Sequence, residues 1–193
     1  MLGPTLIGER VRLIAPNEEM LPMFIRWLAD PEVVRFLGIR FPPSIGQERD
    51  WFDRVSKSAD DIVWVIAVGD RPIGTSGIHR IDWRNRRGLT GSLIGEKDEW
   101  RKGYATEAHR LRTRYAFEEL NLEKLESAAI AGNAGSIRAL EKAGYRQCGL
   151  ARRHEFRQGQ WHDEWRGEVL RDEWRSLSNT AETPEAAEVM VER

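Results

Sequence analysis

A chain of 193 residues with 30 Lys and Arg against 31 Asp and Glu carries a formal net charge of −1, so no global field draws it towards nucleic acid or an acidic membrane surface. No apolar run approaches the roughly 20 residues of a membrane span. The start MLGPTLIGER lacks a charged-then-apolar leader pattern, and the single cysteine, Cys148, excludes an internal disulfide framework, so we expect a cytoplasmic protein.

Residues 10–14, RVRLI, alternate as a first strand. Pro16-Asn17-Glu18-Glu19 reads as a helix start with acidic residues in its first turn. That helix should reach Trp27 or Leu28 and stop at Asp30-Pro31, because a residue before proline is pushed out of the α region. RFLGIRFPP at 35–43 is too rich in proline and glycine for regular structure and reads as a loop that closes over a substrate. A second helix over 46–57 shows Trp51, Phe52 and Val55 as its apolar stripe.

IVWVIAV at 62–68 is apolar throughout and reads as a buried strand, followed by the turn Gly69-Asp70-Arg71 and a strand over 72–81. Asp82 to Gly88 is a polar turn, and GLTGSLIG at 88–95 is a short strand with a glycine exit. After EWRKGYATEA at 99–108 comes a helix in which Ala105, Ala108, Leu111, Tyr115, Phe117 and Leu120 fall mostly on one face. LEKLESAAI at 122–130 is the next strand, and a short helix within 134–143 ends at Gly144. Strands at 145–157 and 161–170 are joined by the turn Gln158-Gly159-Gln160. This order defines one α/β (α+β) domain over residues 1–175, with a mixed, mostly antiparallel sheet of about seven strands and about four helices. The segment 176–193 has few large apolar residues and reads as a mobile tail.

Two stretches carry chemistry. In EWRKGYATEA a strand leads into a basic turn, Gly103 lets backbone come close to a ligand, and a helix then offers unsatisfied N–H groups at its positive dipole end. The natural guest is a phosphate or pyrophosphate. No Gly-Lys-Ser/Thr is present to hold a nucleoside triphosphate with magnesium, and no glycine triplet with a following acid marks a dinucleotide, so the expected guest is a pyrophosphate held mainly by backbone. The second stretch is NAGSIRALEKAGY at 133–145, with Asn133 where a strand ends, Ser136 at the start of the next helix, and Lys142 and Gly144 closing it. Asn133 also suits a helix cap.

Other reactive residues point elsewhere. His79, His109, His154 and His162 show no metal-ligand spacing, so no metal is expected. No activating base is visible around Cys148, which leaves direct transfer as the simpler chemistry. The basic residues near 86–104 are interleaved with acids and form no RNA-binding stripe.

The spaced pair W-R-K-G-Y-A-T-E-A and N-x-x-S-I-R-x-L-E-K-x-G-Y resembles the GNAT superfamily of acetyl-CoA-dependent N-acetyltransferases, and more narrowly its RimJ/RimL-type branch, which acetylates N-termini of ribosomal proteins. WLADPEVVRFL at 27–37, IGTSGIHRID at 73–82 and GQWHDEWRGEVLRDEW at 159–174 extend the likeness, which covers about residues 8–175. The resemblance implies a sheet splayed between its fourth and fifth strands, with pantetheine along main-chain groups of Ser92, Leu93 and Ile94. It places the pyrophosphate on the amides of Arg101, Lys102, Gly103, Tyr104, Ala105 and Thr106. Asn133 and Ser136 would face the pantetheine arm and thioester sulfur, and Lys142 the nucleotide end. The cofactor implied is acetyl-CoA (coenzyme A).

An amine at neutral pH must lose a proton before it attacks, whereas a thiol of pKa about 8.5 leaves with little help. By resemblance the base is Glu155 and the acid Ser136. Many GNAT members carry a glutamate on the fourth strand, but here Leu89 and Thr90 stand there. His79, Asp82 and His154 are therefore reserve groups, and Arg35, Phe41, His79 and Asp82 are expected to border the acceptor. The acceptor is a primary amine, either a protein N-terminus or a small molecule such as an amino sugar, polyamine or antibiotic. A non-catalytic acyl-CoA-binding module is the alternative, and the resemblance admits a homodimer.

Overall fold

The computed structural model describes residues 1–174. Its strands are β1 (Leu6–Ile7), β2 (Arg12–Ile14), β3 (Ile62–Val68), β4 (Arg71–Asp82), β5 (Arg87–Ile94), β6 (Lys124–Ile130), β7 (Arg146–Arg157) and β8 (Gln160–Leu170). Its helices are α1 (Leu21–Ala29), α2 (Ile45–Lys57), α3 (Tyr104–Glu118) and α4 (Ala134–Lys142). The expected tail at 176–193 lies outside the described residues.

The strands form one sheet in the order β1-β2-β3-β4-β5-β6-β8-β7. Every neighbouring pair is antiparallel except β5 and β6, which run parallel. This mixed sheet with flanking helices matches the expected architecture with one short addition, the two-residue β1 at the edge.

The two faces of the sheet carry separate cores. Trp64, Ile66, Ile78, Leu111, Phe117, Leu125 and Tyr145 belong to the core under α3 and α4. Leu21, Phe24, Trp27, Val33 and Val65 form the other, under α1 and α2. The all-apolar run of β3 is explained by this arrangement, because a strand covered on both faces has no polar side.

Boundary differences have local causes. The acidic residues expected in the first turn of α1 instead form a 3₁₀ turn, Glu18–Met20. Proline at the start of α1 lacks the N–H that would continue an α-helical ladder backwards. The strand expected from 122 begins at Lys124, because the buried Leu122 closes α3 by donating its N–H to Ala116 O (2.9 Å), after Asn121 at φ 55°. A Ser44-x-x-Gln47 capping box, legible but unused in the sequence, starts α2.

Helix α3 departs most from expectation. Besides Ala108, Leu111, Ala116 and Phe117 it buries His109, Arg112 and Thr113, so its inward face is half polar where the sequence pattern pointed to an apolar one.

Candidate functional site

β5 and β6 stay in register only from Arg87↔Lys124 to Thr90↔Ser127. Beyond Thr90 they diverge, and the β5 edge at Ser92, Leu93 and Ile94 faces a cleft of about 610 Å³. The same cleft is bordered by Arg101, Gly103, Tyr104, Ala105 and Thr106 at the start of α3, and by Asn133, Ser136 and Lys142 on α4. Two motifs far apart in sequence therefore share one cavity. Trp100, which the sequence did not single out, donates its indole N–H to Ile94 O (2.8 Å) and ties the turn to the β5 edge.

The turn before α3 holds two left-handed residues, Arg101 (φ 64°) and Gly103 (φ 86°). Gly103 is the N-cap of α3 and supplies no side-chain cap, so the first N–H groups of the helix stay open to a ligand. A Cβ on Gly103 would lie 3.3 Å from Arg10 Nη2, and its φ would strain any L side chain. Arg10 explains how the turn is held. Its guanidinium donates to Lys102 O (3.0 Å) and Glu107 Oε2 (3.0 Å) and lies over the Tyr104 ring. Glu107 Oε1 accepts from the N–H groups of Arg10 (2.7 Å) and Val11 (3.1 Å). Burial pushes the Glu107 carboxyl up, but those N–H groups and the Arg10 guanidinium outweigh it and hold it below the usual carboxylate range. The Lys102 side chain does not border the cleft; its ammonium pairs with Glu99 (2.9 Å).

On α4, Asn133 Oδ1 accepts from Ser136 N (3.2 Å), so Asn133 caps the helix while bordering the cleft. Arg138, also unforeseen, lies one turn before Lys142 along the same wall. The acids at the rim are engaged, Glu99 with Arg71 and Lys102 and Glu32 with Lys97. The wall is left net basic by Arg35, Arg101, Arg138 and Lys142. A basic cleft, an open helix start and a side-chain-free cradle at Gly103 fit a phosphate-bearing ligand with a slender arm.

The residues expected around an acceptor are more dispersed. Arg35 borders the cleft with its guanidinium over the Phe36 ring, and Glu32, Val33, Phe36 and Leu37 join it there. Phe41 is 82% exposed and outside the lining. Asp82 accepts from Asn85 N (2.9 Å) and Nδ2 (2.6 Å), capping the turn from the end of β4 into β5, outside the cleft lining. Glu155 lies on β7 opposite His162, near Arg157 Nε (3.7 Å), and does not border the cleft. His79 lies on β4 opposite Leu89, with its ring beside Gly77, where a Cβ would collide with it at 2.5 Å from Nε2. Its Nδ1 meets Asp61 Oδ1 (3.3 Å), and Asp61 Oδ2 accepts from Ser58 Oγ (2.8 Å). Burial lowers the His79 pKa; Asp61 opposes that, and the charge of Arg112 adds to it.

A parallel strand pair that opens beside an uncapped helix start forms a cleft able to take a phosphate-bearing ligand. The chain belongs to the GNAT acetyltransferases: the acetyltransferase (GNAT) domain matches residues 10–146. It is 29% identical over 175 residues to the uncharacterized N-acetyltransferase p20 of Bacillus licheniformis, an alignment covering 88% of this chain and 98% of that protein. Its fold is similar to a GCN5-related N-acetyltransferase from Brucella melitensis (26% identity, TM-score 0.74, covering 91% and 82% of the two chains). It also matches spermidine N-acetyltransferase from Vibrio cholerae, solved with CoA and spermine (16% identity, TM-score 0.81, covering 87% and 99%).

Proposed function

We propose that this chain transfers an acetyl group from acetyl-CoA to a primary amine by direct attack in a ternary complex. The observation that carries this reading is the single cleft uniting the unpaired β5 edge, the Gly103 turn and the α4 cap. The amides of residues 101–106 would hold the pyrophosphate, the main chain of Ser92, Leu93 and Ile94 the pantetheine arm, and Arg138 with Lys142 the nucleotide end. Bound acetyl-CoA supplies an activated thioester as the donor substrate, as a CoA-bound neighbour of the same fold suggests.

The proton leaving the amine needs an acceptor near the opening of β5. Resemblance assigns that role to Glu155, but Arg157 already lies beside that carboxylate, outside the cleft lining. His79 also lies outside the cleft lining, so it would act through water; we favour it over Glu155 because it stands on β4, directly beside the β5 strand. Asp61 orients its ring through Nδ1, Nε2 is free of hydrogen bonds among the described residues, its lowered pKa keeps it neutral, and it stands on the strand position facing Leu89, where the usual glutamate is missing. Ser136, which borders the cleft, is the proton donor to the departing sulfur.

The acceptor we favour is a peptide N-terminus, in keeping with the RimJ/RimL-type resemblance. A polyamine is a poorer fit, because the carboxylates at the cleft are paired while Arg35 and Arg138 would repel a polycation. Free-thiol release from acetyl-CoA, measured with short peptides, spermidine and an amino sugar, tests this. Peptides should accelerate release most. Binding of the donor without acceleration by any amine would instead support an acyl-CoA-binding module.

A further inference from the structure

Arg112 of α3 is wholly buried, yet all the partners its guanidinium reaches are neutral. Nη1 donates to Ser76 Oγ (2.9 Å), Gly91 O (3.0 Å) and Ser92 Oγ (2.9 Å). Nη2 donates to His109 Nδ1 (3.1 Å) and Tyr145 OH (3.5 Å), and Nε has no partner. Arginine buried at this depth ordinarily meets a carboxylate, since desolvating a lone charge is costly. Here the charge is left uncompensated directly behind two residues that border the cleft, Ser92 and His109.

Because arginine only donates, His109 Nδ1 must accept, which leaves the ring proton on Nε2. Burial pushes the His109 pKa well down and the Arg112 charge pushes it further, so the ring is neutral. His109 is nearly fully buried but borders the cleft, and Nε2 has no hydrogen-bond partner among the described residues, which leaves its N–H available to a ligand there. His109 lies six residues beyond Gly103, about 9 Å further along the helix at 1.5 Å per residue, so it answers a different part of the ligand from the phosphate turn.

Resting on the acetyl-CoA reading, we propose that Arg112 is a positioning residue for the thioester end of the donor. Its charge, delivered through the Nε2–H of His109 and the hydroxyl of Ser92, favours negative charge on the acyl oxygen and then on the leaving sulfur. As the amine nitrogen forms its bond to the acyl carbon, the carbonyl electron pair moves onto oxygen. When it returns, the carbon–sulfur bond breaks and its pair stays on sulfur. The amine proton goes to the base and the sulfur takes a proton from Ser136 or water. Both anionic moments fall in the positive potential of Arg112, where preorganised charge in a water-poor site acts most strongly.

The test is the ionisation of coenzyme A bound to the full chain, followed by thiolate ultraviolet absorbance against pH. The wild-type complex should ionise about one pH unit or more below the ~8.5 of a free thiol, a tenfold shift. Arg112→Met should abolish that shift, while Arg112→Lys should keep most of it. Affinity for desulfo-coenzyme A, which lacks the sulfur, should be the same in all three. An unshifted wild-type thiol, or an undiminished shift in Arg112→Met, overturns the proposal. Should Arg112→Met not fold, His109→Leu removes the N–H facing the cleft and should lose at least half of the shift; an unchanged shift there also overturns it. Failure of the wild type to bind either coenzyme would bring down the acetyl-CoA reading itself, whereas tight binding with an unshifted thiol removes only the role of Arg112.

Discussion

The end of the cleft that we propose for the donor is made mostly of backbone: a β5 edge left open past Thr90, a turn with Arg101 and Gly103 at positive φ and an uncapped start to α3, joined by the side-chain cap of Asn133 on α4. The end we propose for the acceptor is made of side chains on less regular chain, with Arg35, Phe36 and Leu37 on turns between α1 and α2. A backbone-built site reads the common part of a ligand, its phosphates and amides, and tolerates few changes of shape. Side chains on turns can vary with the acceptor while the donor end stays as it is.

Mutations should separate the two ends. The largest effect is expected from His79→Gln, which should lower kcat by about 10²-fold or more and remove the acid limb of the pH–rate profile, with coenzyme A affinity unaltered. Glu155→Gln should change turnover far less. A collapse of kcat in Glu155→Gln with normal His79→Gln would return the base to the hairpin and blur the division between the ends.

Gly103→Val comes next. Forcing a β-branched residue to φ 86° costs about 1–3 kcal/mol, so calorimetric titration should show coenzyme A binding weakened by about tenfold or more, with the acceptor KM unmoved. Normal affinity in this variant would refute the backbone cradle. Glu107→Gln should destabilise the fold by about 1–3 kcal/mol in urea denaturation, because the carboxylate accepts from two main-chain N–H groups and the Arg10 guanidinium. Coenzyme A affinity should fall with it, since the same contacts hold the turn.

The smallest effect concerns pH. His109 has a folded-state pKa depressed by burial and by Arg112, so below about 6.5 the unfolded chain takes up a proton that the native state refuses. Stability from this group is complete above that pH and is lost as pH falls towards the lower native value. Urea midpoints of wild type and His109→Leu should therefore converge between pH 7 and about pH 5. Parallel curves would show that His109 is not held neutral. Asp61 and Glu107, held low, lose their contributions only at more acid pH.

What could be read from the sequence follows the same division. The Gly103 turn and the Asn133-to-Ser136 cap depend on local geometry that glycine and asparagine announce, whereas the splayed strands followed from the resemblance alone. Arg10 and Glu107 could not be paired in advance, because their contact joins positions 97 apart and neither carries a motif. Arg112 was equally hidden. An arginine one residue past Leu111 on a helical pattern reads as a solvated face, and only the sheet beneath it, with Ser76 and Ser92, gives it polar company in the interior. Glu155 was placed by resemblance alone, and register shifts in β7 between Ala151 and Glu155 help decide where its side chain goes.

The most direct test of the cleft as an acetyl-donor site is calorimetric titration of coenzyme A into the wild-type chain and the Gly103→Val variant, side by side. One-to-one saturable binding in the wild type, weakened about tenfold or more in the variant, is the expected result. No saturable heat in the wild type, or equal affinity in both, would contradict it.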